Sequence, residues 1–293
     1  MKRLLIYLSC FLVVGGGGTL LQSCEALEIP GKKSLTITKD LVAYLPFTSG
    51  SLEDIITKGD TRKTRNNAIW WTNSTPTFTE DFTGTKGGAN SAISFNGTSD
   101  YITLKDDSTL RFKTSFSISL WIRPDVKQFK PGGAMQIYHK SVNANPSINE
   151  SYSALIRLSN IFYTVTQKAD KPDQTVFLIR SNIKMQGNSD CKTGQGWQEG
   201  QFVVNPTVLT DSWHHIVFTY NESDGTSYLD GNLVNTFKLT GGPIQSCPGG
   251  DLRFGMQFKG AEDYFKGAMD EIRIYSKQLK EEEVRALFEL KTI

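Results

Sequence analysis

"KGAMDEIRIYSKQLKEEEVRALF", residues 266–288, decides how this chain is read. The run from Asp270 to Ser276 alternates apolar and polar residues, the period of a half-buried strand. From Lys280 onward the pattern changes to a helix. Val284, Leu287 and Phe288 fall on one side, and Glu281, Glu282 and Glu283 crowd a first turn where the helix dipole favours negative charge. Two adjacent carboxylates, Asp270 and Glu271, stand where the strand begins. Neighbours on a strand point to opposite faces. A retaining glycosidase holds its two carboxyl groups about 5–5.5 Å apart around one bond, so this pair is read as unable to share a reaction. The same reasoning applies to Glu53 and Asp54.

The texture of that strand extends outward through the chain. "SFSISLWIRPD" (115–125) puts Phe116, Ile118, Leu120 and Ile122 on one face and Ser117, Ser119, Trp121 and Arg123 on the other. "HHIVFTYN" (214–221) alternates likewise. "SYLDGNLVNTF" (227–237) is a hairpin, because Asp230-Gly231 tolerates the positive φ angles of a tight turn. About a dozen short strands, one terminal helix and no linker-like break predict one large all-β domain over residues 40–293.

Residues 1–23 are read as a signal peptide. Lys2 and Arg3 precede an apolar run, Leu4 to Val14, too short to span a bilayer. Leu21-Gln22-Ser23-Cys24 looks like a bacterial lipobox, which makes Cys24 the lipid-bearing residue and 24–39 its tether. The chain is then exported and held at the cell envelope, with the outer membrane the expected site. Two or more acyl chains make such an anchor durable. Without Lys2 and Arg3 the chain carries 30 basic and 30 acidic residues, so no basic excess points to nucleic acid. Of four cysteines, Cys10 leaves with the signal and Cys24 is lipidated. Cys191 and Cys247 remain as an expected disulfide in an oxidising compartment, worth about 4 kcal/mol in the loop-entropy view.

Five segments occur in an order that resembles the laminin-G-like jelly rolls of the concanavalin A-like lectin/glucanase superfamily. They are "LVAYLPFTSG" (41–50), "SAISFNGTSDYITLKDDSTLRF" (91–112), "FSISLWIRPD" (116–125), "SWHHIVFTYNESDGTSYLDGNLV" (212–234) and "FKGAMDEIRIYSKQLKEEEVRALF" (265–288). The likeness thins over 126–210. It implies a two-sheet antiparallel jelly-roll sandwich with one short C-terminal helix and a concave sheet on which many relatives bind carbohydrate; others bind protein. The resemblance also implies a structural calcium at the start of the last strand. By position its ligands are Asp270 with Asn96, Gly97 or Asp100 from the turn "FNGTSD". The Glu-x-Asp-x-x-Glu strand of hydrolytic relatives is missing, which leaves no catalytic residue to name.

Sugar sites offer aromatic platforms beside amide and carboxylate groups. Trp121 and Trp213 lie in the family motifs and are assigned to packing. Trp70 and Trp71 in "NNAIWWTNS", and Trp197 in "GQGWQEGQF", fall outside them in polar sequence and are the ligand candidates. Tyr138 and Arg157, on middle strands, are expected to line the concave sheet. His214 and His215 belong to a strand motif and are read as structural. The expected function is non-catalytic glycan binding, with protein-binding adhesion or scaffolding as the alternative, and a glycan hydrolase with loop-borne acids behind both.

Overall fold

The alternating segments form two antiparallel sheets laid face to face. The structure, a computed structural model, describes residues 37–56, 66–70, 75–83, 91–127, 133–141, 154–168, 171–188, 197–209, 212–246, 248, 250–256 and 263–290. At 141, 154–168, 171–175, 188, 197 and 206 it describes the backbone alone. The expected signal peptide, lipidated Cys24, the Cys191–Cys247 disulfide and Trp71 lie outside the described residues.

Fifteen strands are described: β1 (Leu41–Leu45), β2 (Ile69–Trp70), β3 (Thr77–Thr79), β4 (Ala92–Asn96), β5 (Ile102–Leu104), β6 (Phe116–Pro124), β7 (Ala134–Ser141), β8 (Ala154–Lys168), β9 (Lys171–Lys184), β10 (Trp197–Val204), β11 (His214–Tyr220), β12 (Asp224–Leu229), β13 (Asn232–Lys238), β14 (Leu252–Phe254) and β15 (Lys266–Tyr275). One sheet runs β13-β12-β11-β6-β15-β4-β3, with β1 also on β15; the other runs β10-β9-β8-β7-β14-β5-β2. Two helices are described, the four-residue α1 (Pro206–Leu209) and α2 (Glu281–Glu289). This is the all-β sandwich that the alternation predicts and the jelly roll that the family resemblance implies, and α2 is the expected terminal helix.

Alternation fixes which side chains meet between the sheets. Phe116, Ile118, Leu120 and Ile122 of β6 are buried there with Ile216 and Phe218 of β11, facing Ile102, Leu104, Ile179 and Phe254 of the other sheet. Each such side chain contributes about 1.5–3 kcal/mol of burial. The Asp230-Gly231 turn has φ values of 50° and 76° and closes β12 on β13 as expected.

One expectation needs correcting. The second face of β6 is not open to water, since Ser117, Ser119 and Trp121 are as buried as the first. The segment after β15 folds back across the outer face of the eight-stranded sheet. Ser117 Oγ donates to the Lys277 carbonyl at 2.8 Å and accepts the Leu279 N–H at 2.9 Å. α2 then lays Val284 and Leu287 on Val217, Tyr228 and Tyr275. Its Phe288 stacks on Trp121, which also stacks on Phe82 at 4.6 Å. Of the glutamates in its first turn, Glu283 bends back to accept the Lys280 N–H and caps the helix.

Two sheet ends meet at β10 and β13. There Phe237 sits over two glycines: a Cβ on Gly200 would come within 2.2 Å of its ring, and one on Gly225 within 2.3 Å.

Candidate functional site

The outer face of the seven-stranded sheet gathers the polar groups that a ligand could use. In β9, Phe177, Ile179 and Ile183 point into the core, so Leu178, Arg180 and Asn182 point outward. β10 pairs Trp197 with Lys184, Glu199 with Asn182, Gln201 with Arg180 and Val203 with Leu178. Directly paired residues share a face, which places Trp197 and Glu199 on this outer side. β8 adds Arg157 opposite Asn182, and Asn160 opposite Arg180. The side chains already engage one another: Asn182 Nδ2 donates to Glu199 Oε2 at 3.1 Å, and Arg180 Nε stands 4.0 Å from Glu199 Oε1. Toward β14 and β5 the same face is closed, with His139 and Thr103 buried. Over β10 it is open, with Glu199 and Gln201 exposed and Val203 60% exposed.

Two sequence candidates, Trp197 and Arg157, thus share one face. Two others do not join them. Trp70 pairs with inward-facing Ile102, packs against the core and lies 6.1 Å from the Phe95 ring. Tyr138, expected on the concave surface, is wholly buried between the sheets against Phe218 and Phe254. Bulges in the β7–β8 pairing shift its side chain inward. Asn182, Arg180 and Glu199 went unnamed in the sequence because only pairing across strands brings them together.

The four expected calcium ligands are not brought together. β15 meets β4 with Lys266 opposite Asn96, and Asp270 lies four residues further on, about 13 Å at strand rise. Asn96 Oδ1 accepts the N–H groups of Thr98 and Ser99, and Asp100 accepts the Asn96 N–H at 3.1 Å, so the turn uses its own oxygens. The set does not fit a calcium ion.

The acid pair behaves differently from the strand rule. β15 carries one residue more than β6 between Asp270 and Arg273, and Glu271 is left-handed at φ 54°. This β-bulge sits where the other edge of β15 changes partner, from β4 at Met269 to β1 at Ile272. Met269 and Ile272 both reach the core, three residues apart. Both carboxylates therefore stand on the outer side, correcting the expectation of opposite faces. Glu271 accepts the Tyr44 hydroxyl at 2.7 Å and the Arg273 guanidinium, which lies 4.1 Å over the Tyr44 ring. Glu271 is committed to this ion pair. Asp54, of the other adjacent pair, is buried and caps the Tyr44 and Ile56 N–H groups.

Asp270 is buried and accepts the Glu271 N–H at 2.7 Å. Burial first, then the Glu271 charge, push its carboxyl up to about 9. A raised folded value means that the native state keeps a proton the unfolded chain releases near 3.8. The contribution to stability is full below that point and is lost as pH rises toward 9. Asp270→Asn keeps an oxygen acceptor and removes the proton. Urea unfolding at pH 5 and 8.5 is expected to show the variant more stable than the native chain at the higher pH, by about 2 kcal/mol. Lost stability at pH 8.5, the outcome if this carboxylate held a cation, counts against the reading.

Another constellation has the order of a hydrolytic relay. His214 Nε2 lies 3.0 Å from Ser212 Oγ, and its Nδ1 lies 2.8 Å from Asp230 Oδ2. The Val208 carbonyl, however, lies 2.7 Å from Nε2 and also accepts the Ser212 hydroxyl. Nε2 against two oxygens carries the proton as a donor, not the lone pair of a general base. The cluster ties α1 to the β12–β13 turn.

Residues 96–285 match a laminin G family described as concanavalin A-like lectin/glucanases superfamily. The chain belongs to the concanavalin A-like lectin/glucanases superfamily. Its jelly roll superposes on the binding domain of Paraclostridial Mosquitocidal Protein 1 with a TM-score of 0.54 at 18% identity, covering 87% of this chain and 53% of that one. The binding domain of Botulinum Neurotoxin DC in complex with SialylT gives 0.53 at 17% identity, over 87% and 52%. The same toxin domain in complex with rat synaptotagmin II gives 0.55 at 14%, over 86% and 52%. This member of the superfamily thus spans about half the length of the toxin domains it resembles. No curated protein matches its sequence.

Proposed function

We propose that this chain is a non-catalytic, lipid-anchored cell-envelope protein that binds extracellular glycan on the outer face of its seven-stranded sheet, over β9 and β10. The observation that carries the reading is the pairing register, which sets Trp197, Arg157, Asn182, Arg180 and Glu199 on one face. Amide, carboxylate and guanidinium groups hydrogen-bond sugar hydroxyls, and an indole offers the flat apolar surface that a sugar ring covers. Lipid anchoring rests on Leu21-Gln22-Ser23-Cys24. Among the described residues no helix is long and apolar enough to cross a membrane. The toxin domains solved with SialylT and with synaptotagmin make glycan and protein the two partner classes to separate.

A glycan array probed with the purified chain tests this. Retention of at least one carbohydrate is expected, with Trp197→Ala, Asn182→Ala and Glu199→Ala each weakening it tenfold or more, about 1.4 kcal/mol. An array on which nothing is retained, or variants that bind as the native chain does, leaves protein binding as the better reading.

A further inference from the structure

On the opposite side of the sandwich, the outer surface of the eight-stranded sheet holds a hollow of about 350 Å³, among whose lining residues are Thr79, Ser94, Arg123, Asp125 and Lys266. Its existence follows from residue size. Ser94 of β4, Ala268 of β15 and Arg123 of β6 stand in one row across three paired strands. Two small side chains in that row leave room above the sheet, and neighbouring Gly267 adds none of its own.

The wall is charged and prearranged. The Arg123 guanidinium lies 5.2 Å over the Trp213 ring, and one of its terminal nitrogens donates to Thr79 Oγ1 at 3.2 Å. Stacking and that bond fix the plane of the group, while most of its five N–H donors remain for another acceptor. Among the described residues no carboxylate pairs with Arg123. Lys266 differs, being matched by Asp125 at 3.0 Å. Among the described lining residues the hollow therefore carries one cation more than its anions, held in the flat fork that meets carboxylate and sulfate oxygens two at a time. Its volume lies at the lower end for ligand pockets, and the Ser94 and Thr79 hydroxyls supply further polar contacts.

We infer that this hollow is a second binding site, one that takes a single sugar residue bearing an oxyanion, either a uronic-acid carboxylate or a sulfate ester. Arg123 reads the oxyanion, and the small floor admits the ring. The inference is independent of the glycan face across the sandwich, since no residue is shared between the two.

Calorimetric titration of the full chain with galacturonic acid, galactose 6-sulfate, galactose and inorganic sulfate tests it. One or both of the acidic sugars are expected to bind at least tenfold more tightly than galactose, and which of them does identifies the oxyanion. Arg123→Gln is expected to lose at least tenfold in affinity, and Arg123→Lys, which keeps the charge without the fork, to lose part of it. Ser94→Leu, which fills the floor and leaves Arg123 in place, is expected to abolish binding. Glu199→Ala should leave this binding unchanged even where it weakens retention on a glycan array, so the two sites fail separately. Neither acidic sugar binding more tightly than galactose, or an undiminished signal in Arg123→Gln, overturns the proposal. Binding of inorganic sulfate with neither acidic sugar overturns it too.

Discussion

Replacing Arg273 with alanine is expected to destabilise the fold by about 3–5 kcal/mol, the scale for breaking a buried ion pair from one side. Arg273 is 8% exposed on the outer face of β15 and serves three groups there. Its guanidinium pairs with Glu271, donates to the Tyr44 hydroxyl at 2.7 Å and covers the Tyr44 ring. Burial works against its charge, but Glu271 and Tyr44 beside it more than compensate and hold it above its ordinary value. Truncation leaves the Glu271 carboxylate facing Asp270 with no counter-charge. Urea unfolding of Arg273→Ala, Glu271→Gln and Arg273→Ala/Glu271→Gln checks the cause. The double variant should cost clearly less than the two singles summed, because it removes both charges together. A loss below about 1 kcal/mol in Arg273→Ala, or strict additivity, defeats this account.

Gly267→Ala is expected to cost more than about 3 kcal/mol, through backbone rather than side chains. Gly267 has φ +135°, and an added Cβ would stand 2.2 Å from the Arg123 carbonyl oxygen and 2.9 Å from Pro124 Cα. Both belong to a paired strand that cannot swing aside as a flexible side chain would. Gly242→Ala provides the control: its φ is +76° but nothing lies within 4 Å of the new carbon. That change carries only the conformational cost, about 1–2 kcal/mol. Thermal unfolding of the two variants side by side should separate them by several degrees. If Gly267→Ala melts with Gly242→Ala, the contact with β6 is not what selects glycine here.

Much of the sandwich was legible because period-two alternation is a local property. The core residues of β6, the Asp230-Gly231 hairpin and the apolar stripe of α2 follow from neighbours within a few positions. Trp197 and Arg157 were legible as chemistry but not as a site. Their shared face depends on which strands pair and in what register, and 40 residues separate them in sequence. Tyr138 was misplaced for a related reason, since a bulge in β7 reverses the direction that alternation gives it. The acid pair left one faint trace: Met269, Ile272 and Ile274 are spaced three and then two apart, a break in the alternation that marks the extra residue at Glu271. The expected calcium set failed because closeness in a fold family's outline does not fix pairing register, and here Asn96 meets Lys266.

β15 lies inside its sheet, yet it is the last of the described strands in chain order. It holds β1, β4 and β6 in place, and the Tyr44–Glu271 contact closes a span of 227 residues. Such pairings are slow to form, because the entropy of closing a long loop is lost before any contact repays it. The edges of β4 and β6 must therefore stay unpaired until residues 266–275 join them. Folding of this sheet is completed only when residues 266–275 join it, and a chain cut short before Lys266 lacks the keystone of its sheet, not a dispensable tail.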